Sequence, residues 1–318
     1  MDCPPPKKTT NRVRKFDMSQ KRRSLSANVS RAESKTPSKT RVKTVGGVSD
    51  LPLAEWKQYD DILTDSLWMM DNRDKSGGHD GFYHGNFVPQ IPNQLLRRYT
   101  AAGDSVLDVF LGSGTTLIEA KRLGRNGIGV ELSPKVAKIA GDAVKKQSVE
   151  LSAVKDVFNE VIVGDSANRK SRTLVKSALK KHGRDGVELV VCHPPYHDII
   201  KFSDDENDLS NSANVEEFVK SFGKMIANFS PLLRDNRYLA VVIGDKYADS
   251  KWIPLGFMLM NETMRRDSRL ALKSIVVKNM VNNRAKRNKE NLWRYRALAG
   301  GFYVFRHEYV FLFQKQKA

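Results

Sequence analysis

Two cysteines in 318 residues, Cys3 and Cys192, are too few and too far apart to staple a fold. That excludes a disulfide scaffold and points to a reducing compartment. No apolar run reaches the length needed to span a bilayer, and Met1-Asp2-Cys3-Pro4-Pro5-Pro6-Lys7-Lys8 lacks the apolar centre of a secretion signal, so no membrane partner is expected. No third glycine completes a dinucleotide fingerprint, and no Gly-Lys-Ser/Thr completes a P-loop. His193 and His197 have no third ligand beside them, so no metal site is expected. Internal repeats are missing too.

Acidic side chains are scarce at one end. Residues 1–45 carry 13 Lys and Arg against Asp2, Asp17 and Glu33, a net +10 of the chain's +18. Residues 1–50 also hold almost no large apolar side chains, so they form a disordered basic tail, with a folded domain over 51–318. Such charge suits a polyanionic partner, of which double-stranded DNA is one, through phosphate neutralisation and counterion release. Lys7-Lys8, Arg12, Arg14-Lys15 and Lys21-Arg22-Arg23 are spaced like a split nuclear-import signal, which favours the nucleus. A nucleic-acid-binding arm in a bacterial cytoplasm or nucleoid would have the same composition. The pattern is compatible with a monomer or a homodimer.

From Leu51 the composition is globular. A helical stretch and a Gly-rich loop, Lys75-Ser76-Gly77-Gly78-His79, precede alternating elements. Strands are predicted over 105–110, 127–131, 159–164, 187–192, 237–243, 271–278 and 303–313, and helices over 92–100, 115–123, 135–147, 170–182, 214–231 and 255–266. Continuous Val/Ile/Leu strands between helices predict a doubly wound α/β fold with a mostly parallel seven-stranded sheet. The final strand lacks a preceding helix and is expected to return antiparallel.

The stretch 278–306 interrupts this alternation and reads as a long basic loop. It holds Arg284, Lys286, Arg287, Lys289, Arg294 and Arg296, interleaved with Trp293 and Tyr295. Cations with aromatics suit a surface that follows phosphates and contacts bases, which makes the stretch a candidate DNA-recognition insertion.

Val106-Leu107-Asp108-Val109-Phe110-Leu111-Gly112-Ser113-Gly114-Thr115-Thr116 reads as strand, tight turn and helix start. Gly112 and Gly114 allow the sharp turn and a close ligand approach, and Thr115 or Thr116 can cap the helix. The next strand ends in Glu131, about 20 residues beyond the turn, where an acid can bind ribose hydroxyls. The third ends in Gly164-Asp165-Ser166. Three successive strand ends carrying acids, without pyrophosphate-binding glycines, suit a nucleoside lacking phosphates. S-adenosylmethionine fits.

His193-Pro194-Pro195-Tyr196 follows the apolar strand Val187–Cys192. Two prolines fix φ and remove two N–H donors, so the local carbonyls are stiff and only accept. A flat ring comes next, at the strand end where α/β sheets bind ligands. An exocyclic amine on a nucleobase would suit this arrangement. Cys192 ends the strand and reads as core, not as a thiolate nucleophile. Asp198, Lys201, Phe202 and Ser203 are candidates for lining a base pocket, and Asp204-Asp205-Glu206 with Asp208 reads as a solvated turn.

Taken in order, these motifs resemble the bacterial-type DNA amino-methyltransferases, which act on N4 of cytosine or N6 of adenine. The resemblance covers roughly residues 60–315. Gly85-Asn86-Phe87-Val88-Pro89-Gln90-Ile91-Pro92 resembles the upstream cofactor motif, which implies cofactor roles for Asn86, Phe87 and Pro89. Asp108 to Thr116 is close to the main cofactor loop, Asp-Pro-Phe-x-Gly-Ser-Gly-Thr-Thr, which adds Asp108, Phe110, Gly112, Ser113, Gly114, Thr115 and Thr116. Gly129-Val130-Glu131-Leu132-Ser133 resembles the ribose strand, and Gly164-Asp165-Ser166 the adenine strand. His193-Pro194-Pro195-Tyr196 stands where the family has Asp/Asn/Ser-Pro-Pro-Tyr/Phe/Trp. Val109 replaces the usual proline, and His193 replaces Asp, Asn or Ser.

The implied cofactor is S-adenosylmethionine, and the implied reaction is methylation of a flipped base. The Pro194 carbonyl and a neutral His193 nitrogen would accept the amine hydrogens, localise the nitrogen lone pair and aim it. Tyr196 would stack on the base. Sulfonium charge disappears as the methyl moves, so positioning matters more than a general base. Ser-Pro-Pro tends to accompany cytosine and Asp-Pro-Pro adenine, and N4 of cytosine is favoured here. The alternatives are an N6-adenine enzyme, whose usual motif order this chain shares, an RNA amino-methyltransferase, and an inactive DNA-binding subunit.

Overall fold

The chain is described from a computed structural model covering residues 47–79, 83, 85–150, 154, 156–280 and 290–317. The strands are β1 Leu67–Trp68, β2 Ser105–Asp108, β3 Asn126–Glu131, β4 Asn159–Val163, β5 Val187–Cys192, β6 Leu233–Ile243, β7 Lys246–Ala248, β8 Lys251–Ile253, β9 Leu270–Asn279 and β10 His307–Lys315. The helices are α1 Gln90–Tyr99, α2 Thr115–Arg122, α3 Pro134–Lys146, α4 Arg169–Lys181, α5 Val215–Phe229, α6 Leu255–Arg266 and α7 Glu290–Gly300. Local chemistry starts several of these helices. Ser133 caps α3 with Pro134 at its first position, and the side chains of Asn168 and Asn214 cap α4 and α5.

One sheet has the order β1-β9-β10-β6-β5-β2-β3-β4, and β7 pairs with β8 in a hairpin. Only β10 runs against its neighbours, β6 and β9, as expected for the last strand. The sheet has eight strands rather than seven. β1, two residues pairing parallel with β9, is too short to leave a periodic pattern. It buries Trp68 and blunts the edge of β9.

Strands β2, β3 and β5 are buried throughout, because helices cover both faces. One face packs on Phe218, Phe222, Met225, Ile226 and Phe229 of α5, and the other on Ile91, Leu95 and Leu96 of α1. Each such side chain contributes about 1.5–3 kcal/mol by leaving water.

The chain passes outward through β2, β3 and β4, then returns to place β5 beside β2. The strand order therefore reverses between β2 and β5, and ligands bind at the carboxyl ends of strands at such a point. The ends of β1 to β6 and β9, and the start of β10, all open onto this edge.

Three sequence expectations change. The basic stretch after β9 is not all loop, for residues 290–300 form α7. Leu, Arg, Ala and Glu favour helix there, and Gly300-Gly301 ends it, with Gly301 at φ +66°. Folded structure begins before residue 51. Asp50 accepts from Arg125 Nη2 at 2.6 Å and from the Ala102 N–H, and the Val48 carbonyl accepts from Arg237. Residues 1–46, the rest of the expected tail, lie outside the described residues. The hairpin β7–β8 was not foreseen. It turns on Asp249 and Ser250, both at positive φ as a tight two-residue turn requires.

Candidate active site

The turn after β2 is built on two left-handed glycines, Gly112 at φ +53° and Gly114 at φ +92°. A Cβ at Gly114 would lie 3.3 Å from Ala140 of α3, and one at Gly112 would lie 3.2 Å from the Tyr83 ring. Gly114 itself is the N-cap of α2, so neither Thr115 nor Thr116 caps it. Both threonines lie buried inside the helix.

Three carboxylates surround this turn. Asp108 is fully buried, and burial raises it to about 6 although Thr116 and the Phe110 N–H pull it down. Its Oδ1 accepts from Phe110 N at 2.9 Å. The Thr116 hydroxyl stands near, yet neither it nor Asp108 Oδ2 has a partner meeting hydrogen-bond geometry. Glu131 accepts the Gly112 N–H at 2.8 Å on one oxygen and the Ser133 N–H at 2.9 Å on the other. Burial raises it to about 7 against those two bonds. Asp165, half-buried and also raised by burial, accepts from Ala167 N.

Other expected cofactor residues divide into liners and struts. Asn86 donates to Ser113 Oγ at 2.5 Å, tying the upstream motif to the glycine turn. Phe87 is buried, with its ring 4.7 Å from that of His193. The pair Asn86-Phe87 thus touches both loops. Pro89 begins α1, Phe110 packs partly on the core, and Leu132 lies beside Ser133, whose hydroxyl caps α3. Ser166 is a strut, donating to the Val109 carbonyl at 2.6 Å.

His193-Pro194-Pro195-Tyr196 leaves β5 on the opposite side of the switch point. Burial depresses His193 to about 4, so its ring is neutral at neutral pH. No hydrogen bond among the described residues uses the Pro194 carbonyl. The Tyr196 ring stands edge-on to His193 at 84° and lies against Gly244, where a Cβ would be 2.7 Å away. Its hydroxyl donates to Glu308 Oε2 at 2.7 Å, and Glu308 Oε1 accepts from Lys278 at 2.9 Å. Burial pushes Glu308 up, but the Lys278 ammonium and the Tyr196 hydroxyl outweigh it and hold the carboxyl below its ordinary value.

Sequence reading missed Lys278, Glu308 and Gly244, because their partners are remote along the chain. Tyr83 was missed as well. It lies over Gly112 and stacks at 6.0 Å on Phe202, which itself reaches Gly85. An aromatic just before Gly85-Asn86-Phe87 was the available signal.

Other expectations near the motif are redistributed. Phe202 meets the upstream motif, Lys201 pairs with Asp204, and Asp198 pairs with Lys246. Ser203 donates to Asp208 at 2.8 Å. Asp208 is buried and staples its loop through Ser210, so it is not part of a solvated turn. The two nitrogens of His197 face the Ser212 carbonyl and Lys246. Cys192 is fully buried in the core, and burial pushes its thiol well up. Trp293, Arg294, Tyr295 and Arg296 lie on α7, with Tyr295 exposed and Arg296 5.5 Å over the Trp293 ring. Arg284, Lys286, Arg287 and Lys289 lie outside the described residues.

A glycine turn with two acids at neighbouring strand ends, facing a Pro-Pro-aromatic motif across the switch point, defines an α/β methyltransferase. The chain matches the model of the DNA methylase family of N6 and N4 amino-methyltransferases over residues 6–142 and 187–318, and it belongs to that family. The type II methyltransferase M.MjaII of Methanocaldococcus jannaschii is 36% identical over 80 residues, 25% of this chain and 15% of that protein. M.BglI of Bacillus subtilis is 29% identical over 123 residues, 37% of this chain and 33% of that protein. M2.DpnII of Streptococcus pneumoniae is 38% identical over 92 residues, 28% of this chain and 31% of that protein. The matched segments thus span 15–33% of these relatives' lengths. TrmN of Thermus thermophilus aligns over 73% of this chain and 50% of its own, at 16% identity and a TM-score of 0.43.

Family membership makes S-adenosylmethionine the cofactor, and the residues fit it. Asp108 Oδ2 is a buried acceptor without a partner, and Gly112 and Gly114 form a cradle that side chains would fill. Each Glu131 oxygen accepts one backbone N–H and keeps a lone pair for a ribose hydroxyl.

Proposed function

We propose that this chain is a DNA methyltransferase that uses S-adenosylmethionine to methylate N4 of cytosine in a base flipped from the duplex. The observation that carries this reading is a neutral His193 beside the rigid Pro194 carbonyl, across the switch point from the glycine turn. S-adenosylmethionine supplies an electrophilic methyl group, and the chain's task is to aim a weak nucleophile at it. Glu131 and Asp165 hold the nucleoside part, and the Gly112–Gly114 backbone leaves room for the rest. Two fixed acceptors, Pro194 O and one His193 nitrogen, take the two amine hydrogens. The nitrogen lone pair is thereby withdrawn from ring conjugation and oriented, which is the entropic resource a direct transfer needs. Tyr196 is half-buried, and its ring is the surface on which the base would stack.

Charge at the first motif position supports cytosine. A neutral histidine resembles the serine of cytosine-type motifs more than the aspartate of adenine-type ones. α7 rises from the same edge as His193 and, with the basic residues that precede it in sequence, serves as the DNA-recognition segment of the folded domain, while the basic tail is a separate DNA contact. The relatives named above come from bacteria and an archaeon, which favours DNA contact in a nucleoid over nuclear import for the basic tail.

The test is to incubate the full chain with methyl-labelled cofactor and duplex DNA, then resolve the nucleosides by mass spectrometry. N4-methylcytosine is expected. N6-methyladenine alone would overturn the base assignment, and label in RNA but not in DNA would overturn the substrate.

A further inference from the structure

Glu308 lies 112 residues from Tyr196 in sequence, and no motif points to it. Yet it closes a chain of polar groups, buried at Lys278 and Glu308 and half-buried at Tyr196 and His193, that ends at His193. We propose that Glu308 is a positioning residue that sets the tautomer of His193 through Tyr196, leaving Nδ1 bare to accept a hydrogen of the target amine. What Nδ1 accepts rests on the methyltransferase reading, whereas the tautomer itself does not.

The argument follows proton by proton. An ionised carboxylate can only accept. Glu308 Oε1 accepts from the Lys278 ammonium at 2.9 Å, and Oε2 accepts the Tyr196 hydroxyl at 2.7 Å. The Lys278 and Glu308 side chains are only 7% and 8% exposed, so water does not compete for either role. Tyr196 has one proton, and Glu308 holds it. The phenolic oxygen therefore presents only lone pairs to its other neighbours. One neighbour is the Gly244 N–H, and another is His193 Nε2 at 3.4 Å. To meet a lone pair, Nε2 must carry the hydrogen. A neutral imidazole has one N–H, so Nδ1 has none.

Reversing the first link reverses the last. If Glu308 stopped accepting, the Tyr196 hydroxyl would turn to His193 Nε2, the hydrogen would move to Nδ1, and the ring would offer a donor to an amine that itself donates. Lys278 has a part in this polarity. It claims the acceptor end of whatever stands at position 308, so Glu308→Gln would keep its amide oxygen toward Lys278 and point its NH2 at Tyr196.

The experiment is long-range 15N–1H correlation spectroscopy on the full chain labelled at histidine, with His193 assigned from its loss in His193→Asn. The wild type is expected to show Nε2–H, and Glu308→Gln to show Nδ1–H. Alongside the flip, kcat should fall about 100-fold or more, with KM and cofactor affinity unchanged. Glu308→Gln leaves a buried Lys278 without its counter-charge, so a second variant guards against misfolding. Lys278→Met with Glu308→Leu replaces the ion pair by apolar groups, a change that proteins often tolerate. Among the described residues it leaves His193 as the acceptor beside the Tyr196 hydroxyl, so it too should show Nδ1–H. A wild type showing Nδ1–H, or a folded double variant retaining Nε2–H, overturns the proposal. A tautomer that flips as expected in a protein that methylates no base removes the functional reading and leaves the assignment standing.

Discussion

Glu131 and Glu308 are buried carboxylates on the same edge of one sheet, and burial pushes both upward. Glu131 reaches about 7, whereas Lys278 draws Glu308 below its ordinary value. The difference divides the edge into two halves. On the cofactor side, Asp108, Glu131 and Asp165 are met by backbone N–H groups of their own or neighbouring loops, and each keeps acceptor capacity for a ligand. On the substrate side, Glu308 accepts from Tyr196, in the loop after β5, and from Lys278 of β9, and works by holding those groups in place. On the proposed function, one half binds and the other orients.

Variants can break that division, and the largest effect is expected at the turn. Gly114→Val places a branched side chain at φ +92° with its Cβ 3.3 Å from Ala140. Strain of about 1–3 kcal/mol and a filled cradle should abolish cofactor binding by calorimetry while the circular dichroism stays native. Glu131→Gln should weaken cofactor binding ~10–100-fold, the worth of a charge-assisted hydrogen bond of about 1.5–3 kcal/mol. Under the proposed cofactor site, ribose hydroxyls would donate to the ionised carboxylate. Affinity should therefore be highest above about pH 7 and decline as Glu131 protonates below it. An affinity flat from pH 6 to 8 would remove Glu131 from the ribose contact.

Smaller effects are expected on the substrate side. Tyr295→Ala on α7 should weaken DNA binding by about 1–3 kcal/mol if bases stack there, without altering cofactor affinity. Arg294→Ala should lower the salt slope of DNA binding by about 1. Deleting residues 1–45 should flatten that slope further, and an unchanged slope would leave the tail outside the DNA interface.

The same division explains what could be read from sequence. Asp108, Gly112, Gly114, Glu131 and Asp165 sit at fixed offsets from strands whose apolar runs announce themselves, so their placement at the strand ends was legible. His193 and the prolines were legible for the same reason. Lys278 and Glu308 were not, because each is a lone charge in a strand until β10 folds back between β9 and β6. β1 and the hairpin β7–β8 are too short for periodicity to reveal. The helix α7 was hidden by its charge, since Arg and Trp suggested a loop although Leu, Ala and Glu carry the helix.

The most direct test of the two-half account is His193→Ala measured twice, by calorimetric titration with S-adenosylmethionine and by the single-turnover rate of methyl transfer to duplex DNA. The expected result is an unchanged Kd with transfer slowed about 100-fold or more. Loss of cofactor binding in parallel with transfer would contradict it, because His193 would then belong to the binding half.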